Sequence, residues 1–495
     1  MGHGHEIHIE QEQFKFPKKT KTFSLALIVI GLVLTIIGIV TIPKHDAHAD
    51  AKGHHAEASV AEPAAPAHSN MHAMASDKIH TDTSIVVAEV HHKMANHSEY
   101  SENGTITILG VDTLHNDEAV HPVAVEHAKP WYTRVYVNLL LNGYFVLLIS
   151  VCGLFFFALQ YIANAGWTIA FIRVPQAMST FIPIGAIILL AVFFLDGQNI
   201  YHWYHYEHLH LAKGDLGYDK ILANKDWFLN SKVVVSFLVA IPLVWFLFGK
   251  KLRGLSEAED KEGGLAFFKK GITYSAAFAV IFGFTLSILS WLVAMAVDAH
   301  WYSTMFSLYN FATGWVSCIS IITLFVLYLK RQGYLKLVTD EHIHDLGKFM
   351  FAFSIFWTYL WVSQFLLIWY ANIPEESIYF YKRWEMPFKI SFFVNLILNF
   401  AIPFLVLMTR NNKRNPKVLI FVALCILVGH WNDLWLMLMP GTIDKAAGIG
   451  FLEIGMTLFF TGLFIYWVLT ALSKKGLIPI KHPYIEESAH HDVGV

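Results

Sequence analysis

Ten separate runs of about twenty apolar residues divide this chain of 495 residues. An α-helix rises 1.5 Å per residue, so each run is long enough to cross the roughly 30 Å hydrocarbon core of a bilayer. The hydrophobic fraction is 55% and the charged fraction only 15%, which is too little charge for the surface of a soluble protein of this length. The sequence therefore predicts a multi-pass membrane protein.

The predicted fold class is all-α, with ten transmembrane helices. Lipid offers backbone groups no hydrogen-bond partner, so spans this apolar must be helices, whereas a barrel would show short alternating segments. The predicted spans, numbered 1 to 10 in chain order, are 23–42, 134–162, 173–196, 229–249, 271–297, 304–329, 349–371, 388–408, 418–438 and 450–472.

Lysine and arginine are concentrated in alternate loops, and the loop between spans 5 and 6 has no basic residue. The positive-inside rule places the basic loops, and with them both termini, in the cytoplasm. Residues 1–22 are then a cytoplasmic segment. The first apolar run is longer than the core of a secretory signal, so we interpret it as an anchor.

The segment between spans 1 and 2, residues 43–133, is rich in Ala and His and lacks helical periodicity. It is expected to be extracytoplasmic and loosely ordered, with a short strand near 104–108. Its histidines match no fixed spacing of metal ligands. We interpret it as a soluble arm whose charge changes below pH 7 and predict no defined metal site there.

The chain lacks the motifs of an electron carrier. Its cysteines, Cys152, Cys318 and Cys425, all lie within spans and far apart, and no CxxC or CxxCH sequence occurs. The only histidine well inside a span is His430, whereas a membrane b-type haem needs paired axial histidines. No haem, cluster or metal is therefore predicted in this chain, and the absence of a P-loop argues against an ATP-driven pump.

Titratable side chains collect at the predicted extracytoplasmic ends of the spans. They are Asp196, His202, Asp298, His300 and Asp433. Groups that titrate near neutrality beside aromatic walls suit proton exchange and the binding of a quinone head group. For any one of these residues, solvation of a helix end within an aromatic belt is the simpler interpretation.

Two pairs of asparagines lie four residues apart inside spans, Asn138 with Asn142 and Asn395 with Asn399. Each pair shares one face of its helix. Interhelical hydrogen bonding is the default interpretation, and a water-lined proton path is the alternative.

Several motifs resemble those of the large membrane subunits of alternative complex III, the bacterial quinol:cytochrome c oxidoreductase. The longest covers 342–384, with HIHDLGKFMFAF, FWTY, SQFLLIWYANIPEE and KRW in that order. The others are DAHWYSTMF at 298–306, GHWND at 429–433 and PIKHPYIEES at 479–488. The resemblance runs from span 2 to the C-terminus.

The resemblance implies the architecture of the polysulfide-reductase membrane anchors. Two four-helix bundles would occupy 134–299 (spans 2 to 5) and 300–439 (spans 6 to 9). Span 1 (23–42) and span 10, within 440–495, would be peripheral. The family has two such paralogues. The 200–203 and 225–230 segments and the long insertion are similar to the paralogue implicated in proton conduction or scaffolding, and less so to the one credited with oxidising quinol.

One departure from the family concerns span 5, where an Asp-Trp pair is common and this chain has Ser290-Trp291. A hydroxyl cannot replace a carboxylate as a proton acceptor near neutral pH. Quinol oxidation by this chain itself is therefore disfavoured, and no single residue is predicted to be catalytic. By hypothesis the five extracytoplasmic residues above line a proton exit or quinone pocket, and a cytoplasmic proton entry is formed by Asp340, His342, His344 and Asp345.

The resemblance also implies the partners and the location. We expect a subunit of a respiratory complex in the bacterial inner membrane, which passes electrons from a quinol such as menaquinol to cytochrome c or a terminal oxidase. Haem c and iron–sulfur clusters would belong to a multihaem cytochrome and an iron–sulfur, molybdopterin-like subunit, beside the paralogous quinol-binding membrane subunit. No nucleic-acid partner is expected. The alternatives are a secondary transporter or the membrane anchor of a different molybdenum-type oxidoreductase.

Overall fold

Among the residues that the computed structural model describes, ten helices are long and apolar enough to cross a membrane, which confirms the predicted all-α multi-pass class. The structure describes residues 11–42, 129–211, 213–215, 218–444 and 447–492, and the backbone of 106–107 and 126–127. Spans 1 to 10 are Lys18–Thr41, Thr133–Ile162, Arg173–Ile200, Ser231–Glu262, Leu265–Val297, Met305–Arg331, Asp340–Ala371, Phe388–Leu407, Pro416–Thr442 and Phe451–Leu472.

Two helices continue well beyond their apolar runs. Span 4 begins after Asn230, whose side chain accepts a hydrogen bond from the Val233 amide at 3.0 Å, and it continues to Glu262. Its last turns are amphipathic and bury Ser256 and Glu259. Span 7 begins at Asp340 because Thr339 and His342 form a capping box. Hydropathy alone stops at the first charged turn and so missed both extensions.

The central helices pack as two rings of four. In the first ring span 2 packs against spans 3 and 5, and span 4 packs against the same two helices. In the second ring span 6 packs against spans 7 and 9, and span 8 packs against the same two helices. Spans 2 and 6 join the rings, since span 2 also contacts spans 6 and 9. Span 10 lies outside against spans 2 and 3.

The two described ends of the helical unit meet on one face of the helices. Gln13 forms an antiparallel bridge with Gly476, and the Leu477 amide donates to the Glu12 carbonyl at 2.8 Å. The Glu12 carboxylate also accepts from the Lys336 amide at 3.1 Å, in the loop after span 6. We call this the terminal face. The opposite face carries the segments after spans 3, 5, 7 and 9.

Span 1 packs on span 10 through a seam of small residues. Ser24, Gly31 and Gly38, seven residues apart, are the buried positions of span 1. Gly455 and Gly462 face them from span 10, and a Cβ at Gly455 would lie 2.5 Å from the Thr35 nitrogen and 2.9 Å from the Gly31 oxygen. Small residues let two helix backbones approach closely in lipid, where no hydrophobic effect drives them together.

Gly455→Val is expected to separate span 1 from span 10, because the new side chain would collide with backbone atoms that cannot rotate away. The overpacking should cost about 1–3 kcal/mol of helix association. Crosslinking between cysteines introduced in the two helices measures the separation. Gly283→Val is the matched control, since a Cβ at Gly283 meets nothing within 4 Å. Undiminished crosslinking in Gly455→Val would show that the seam is not the contact that holds span 1.

The described secondary structure of the second unit of the chain is a two-stranded antiparallel pair. Ile106 pairs with His127 and Thr107 with Glu126. The strand predicted near 104–108 is thereby confirmed at Ile106–Thr107. The rest of the predicted insertion, apart from 129–133, lies outside the described residues.

Candidate functional site

The most completely enclosed carboxylate near the middle of the second ring belongs to Asp433 on span 9, which is only 1% exposed. Its Oδ1 accepts from the Tyr309 hydroxyl and from Asn395 Nδ2 at 2.8 Å. Its Oδ2 accepts from Thr313 Oγ1 at 2.8 Å and Trp357 Nε1 at 3.1 Å. Spans 6, 7 and 8 therefore each contribute a donor to one buried carboxylate, as a desolvated charge requires.

Polar atoms without a partner surround this cluster. His430 lies one turn before Asp433, is fully buried, and has both ring nitrogens unpaired among the described residues. Its ring meets that of Trp357 edge-on at 5.4 Å. Asn310 Oδ1, Gln364 Nε2 and Asn399 Oδ1 likewise lack partners within the described part of the chain. Buried polar groups of this kind are normally satisfied by internal water.

Span 8 departs from α-helical geometry beside Asp433, where Ile397–Ala401 forms a π-helical turn. Asn399 in this turn donates to Asn395 Oδ1 at 2.7 Å, and Asn395 donates to Asp433. A Cβ at Gly429 of span 9 would collide with the Asn399 amide, so glycine at that position permits the approach. Short π-helical turns occur frequently at functional sites.

The first ring holds a hydroxyl where the second holds the carboxylate. Tyr309 lies on the first helix of its ring and Asp433 on the fourth, and Tyr144 and Ser290 occupy the same helices of the first ring. Asn310 Nδ2 donates to the Tyr144 hydroxyl at 3.0 Å, and that hydroxyl approaches Ser290 Oγ at 3.4 Å. Ser290 therefore contacts a tyrosine hydroxyl in the first ring as Asp433 does in the second, but serine carries no charge. This is the serine that the sequence analysis noted in place of an aspartate.

Asp298 lies at the opposite face and is held by two basic residues. Arg383 Nη2 donates to it at 3.1 Å, and Lys382 Nζ lies 3.7 Å away. Arg383 is 3% exposed and also donates to the carbonyls of Tyr379, Leu436 and Met437. Because two of these carbonyls belong to the turn of span 9 that follows Asp433, Arg383 connects the Asp298 carboxylate to the helix that carries the Asp433 cluster.

Sequence reasoning missed Arg383, which lies on the amphipathic helix Pro374–Trp384 between spans 7 and 8. The sequence does contain a signal for this residue, because the helix has charged and apolar side chains on opposite faces and forms the end of the 342–384 motif. Its Tyr379 stacks on Trp301 with ring centroids 3.9 Å apart, which fixes the helix against the segment after span 5. A buried arginine that satisfies three carbonyls and one carboxylate also shapes the backbone around it.

The predicted residues His202 and His300 are brought together at the opposite face, with ring centroids 5.7 Å apart. His300 Nε2 also contacts Asp219 Oδ2, a partner that the sequence did not indicate. Burial raises the pKa of Asp219, but hydrogen bonds from His300 and the Leu222 amide outweigh it, so the pKa lies below its usual range. Asp196 is buried separately at the end of span 3, where Asn199 Nδ2 donates to it at 2.6 Å.

The four residues predicted on the other side all lie at the terminal-face start of span 7. Asp340 pairs with Lys330 at 3.1 Å, and His344 lies 3.8 Å from Glu341. His342 approaches Ser488 at 3.4 Å, and Asp345 contacts His491 Nε2 at 2.8 Å. The C-terminal segment therefore lies directly over these residues.

A further buried cluster at the terminal face was not indicated by the sequence. Glu259 of span 4 is 1% exposed and accepts from the Tyr161 hydroxyl at 2.9 Å. His482 Nε2, from the C-terminal segment, lies 3.8 Å from it. Burial and then the charge of Arg173 lower the pKa of His482 to about 4, so this histidine is neutral at pH 7. The PIKHPYIEES motif, which contains His482, was the available signal.

The asparagines of span 2 form interhelical hydrogen bonds. Asn138 Nδ2 donates to Glu453 of span 10 at 3.0 Å, and Asn142 Oδ1 accepts from Trp431 and Thr457 at 3.1 Å each. Arg134 donates to the same Glu453 carboxylate at 2.9 Å. These contacts fasten span 10 to the first ring.

Comparison with family models and with curated proteins finds no match for this chain. Among the described residues, no three His, Cys, Asp or Glu side chains lie close enough together to hold a metal ion. The described residues do enclose carboxylates, imidazoles and hydroxyls within the helices.

Proposed function

We propose that this chain is an integral membrane subunit of a respiratory quinol:cytochrome c oxidoreductase of the alternative complex III type, and that its second ring conducts protons. The observation that carries the proton role is the fully buried Asp433 carboxylate, with His430 unpaired one turn away. An ionisable group inside a membrane helix is costly and is normally kept for a function. The motifs of spans 6 to 9 that resemble the family contribute Asp433 and the residues around it.

The proposed orientation places the terminal face in the cytoplasm of a two-membrane bacterium. The support is the distribution of positive charge, because basic side chains crowd the terminal-face ends of the helices. These residues are Lys15, Lys18, Lys19, Lys21, Lys250, Lys251, Arg253, Lys261, Lys269, Lys270, Lys330, Arg331, Lys336, Lys348, Arg410, Lys413, Arg414, Lys417, Lys474, Lys475 and Lys481. The opposite face, with Asp298 and His300, would then be the side on which protons leave.

The Asp433 cluster does not fit a quinone head group. A carboxylate accepts about four hydrogen bonds, and Asp433 already accepts four from its own bundle. A quinol hydroxyl would therefore find no free acceptor position on it. In the proposed complex, partner subunits oxidise the quinol and hold the haem and the iron–sulfur clusters.

The proton role rests on the arrangement of side chains along spans 6 and 9. Water bound at the unpaired nitrogens of His430 would bring a proton to the middle of the membrane, since His430 lies near the midpoint of Pro416–Thr442. Asp433 would take up the proton when the Tyr309 hydroxyl, which donates to its Oδ1, rotates away and frees an acceptor position. The rotated hydroxyl, five residues into span 6, would then accept the proton from Asp433 and release its own towards the opposite face, where Asp298 lies.

A secondary transporter is the rival function, and it would show interrupted helices at matched positions of the two halves. Span 3 is interrupted by a 3₁₀ turn at Ser179–Phe181, in the second helix of the first ring. Span 8 is interrupted by its π-helical turn, in the third helix of the second ring. The interruptions do not correspond, so the carrier is less favoured.

Purification of the tagged chain from membranes in mild detergent tests the assignment to a complex. We expect co-elution of a multihaem cytochrome c and an iron–sulfur subunit, with quinol:cytochrome c activity in the same fraction. An unrelated ten-helix protein with the same tag, purified in parallel, controls for co-solubilised proteins. A solitary chain that takes up a solute when reconstituted would refute the proposal and favour the carrier.

A further inference from the structure

A basic cavity of about 340 Å³ opens at the terminal-face end of spans 3, 4 and 10. Four cationic side chains line it: Arg173 of span 3, Arg253 of span 4, and Lys474 and Lys475 just after span 10. The remaining wall includes Thr180 and Trp467, and Trp467 Nε1 donates to the Thr180 hydroxyl at 3.0 Å. This cavity lies among different helices from the Asp433 cluster, which is enclosed by spans 6 to 9.

Only two of the four positive side chains of the basic cavity form ion pairs with carboxylates among the described residues. Arg173 pairs with Asp260 at 3.1 Å, and Lys475 pairs with Glu257. Arg253 instead donates to a neutral group, the Ser179 hydroxyl, at 2.6 Å. The Lys474 ammonium forms no hydrogen bond or ion pair within the described part of the chain. An arginine fork and an ammonium group therefore remain available to an anion.

Three of the four cations also act on one another. Burial, followed by the charges of Arg173 and Arg253, lowers the pKa of Lys475. Positive side chains that repel one another beside a cavity are stabilised when an anion binds between them. The geometry and the charge both call for a ligand with negative oxygens.

The position of the cavity identifies where such a ligand comes from. Trp467 lies five residues before the end of span 10, the depth at which tryptophan marks the membrane interface, and it is 39% exposed. A ligand in this cavity would therefore contact the lipid-facing surface and the arginine fork together. An amphipathic molecule satisfies both contacts, whereas a free inorganic anion satisfies only the second.

We propose that the basic cavity binds the phosphodiester headgroup of an anionic phospholipid, with Arg253 and Lys474 as its charged contacts and Trp467 beside the acyl chains. Basic pockets between transmembrane helices are suited to anionic headgroups, and arginine matches phosphate oxygens with two parallel hydrogen bonds. The bound lipid would fill the space between span 10 and the first ring.

The full-length chain in nanodiscs tests the proposal. Phosphatidylglycerol in a phosphatidylcholine background should raise the unfolding temperature, and native mass spectrometry should show phosphatidylglycerol retained on the protein. Arg253→Gln and Lys474→Gln should each weaken phosphatidylglycerol binding about fivefold. Lys474 is exposed, so Lys474→Gln should fold normally even if Arg253→Gln does not, and it then tests binding by itself.

Lys417→Gln is the matched control, because Lys417 is an exposed lysine of the same face outside the cavity. It should bind phosphatidylglycerol as the parent chain does. Equal stabilisation by phosphatidylcholine alone, or an equal loss in Lys417→Gln, would overturn the proposal. A separate measurement adds inorganic phosphate to the protein in phosphatidylcholine nanodiscs. If phosphate raises the unfolding temperature as much as phosphatidylglycerol does, the cavity is a free-anion site and not a lipid site.

Discussion

In the proposed complex, Asp433→Asn is expected to lower proton release per quinol oxidised and to slow turnover by roughly tenfold or more, the scale of a lost proton-transfer group. The asparagine is close in shape, and its one oxygen can still accept from two of the four donors, whereas its amide nitrogen faces the other two and cannot accept from them. The asparagine also cannot take up and pass on a proton. Proton release in vesicles and quinol:cytochrome c turnover measure the two effects.

Two further variants separate proton transfer from structural damage. Tyr309→Phe keeps the carboxylate and removes the hydroxyl that leads towards the opposite face, so it should reproduce part of the defect. Glu453→Gln is the matched control, since Glu453 is an equally buried carboxylate that is paired with Arg134 and lies outside the second ring. Unchanged activity in both Asp433→Asn and Asp298→Asn would remove these residues from the mechanism.

Arg383→Leu is expected to destabilise the second ring by about 3–5 kcal/mol, because it leaves a partly buried carboxylate and three carbonyls without this donor. Arg383→Lys keeps the charge but cannot reach all four acceptors, so its effect should be intermediate. Thermal unfolding in detergent can be followed with a thiol-reactive dye. The buried Cys152 and Cys318 should react only when the helices separate.

Lys382→Gln is the control for the charge at this site. Lys382 is 43% exposed and lies 3.7 Å from the same Asp298 carboxylate, so its loss should cost no more than about 1 kcal/mol. The double variant Asp298→Asn with Arg383→Leu should be more stable than the sum of the single effects predicts, since neither charge is then left alone. Strict additivity would show that the two residues do not act as a pair.

The fold could be predicted from the sequence because each apolar run must satisfy its own backbone in lipid, and only a helix does so. The helix ends were harder. The charged turns of span 4 are buried under the C-terminal segment, and this contact joins residues more than 200 positions apart, such as Glu259 and His482. Hydropathy contains no information about such a contact.

The residues of the candidate site can be named from the sequence, but their connections cannot. The sequence singles out Asp433 as one of several titratable groups at the predicted extracytoplasmic helix ends, whereas its donors come from three other helices, 38 to 124 positions away along the chain. The pairing of Asp298 with Arg383 could not be inferred either, since the arginine lies in a segment that hydropathy treats as a loop. Residue type identified the acids, and only tertiary packing identified their partners.

The glycine seam between the first and last helices has a consequence for biosynthesis. Span 1 leaves the ribosome first, but the helix on which it packs is the last of the ten to be made. Assembly of this helix pair must therefore wait until the helices of both rings and then span 10 have been synthesised.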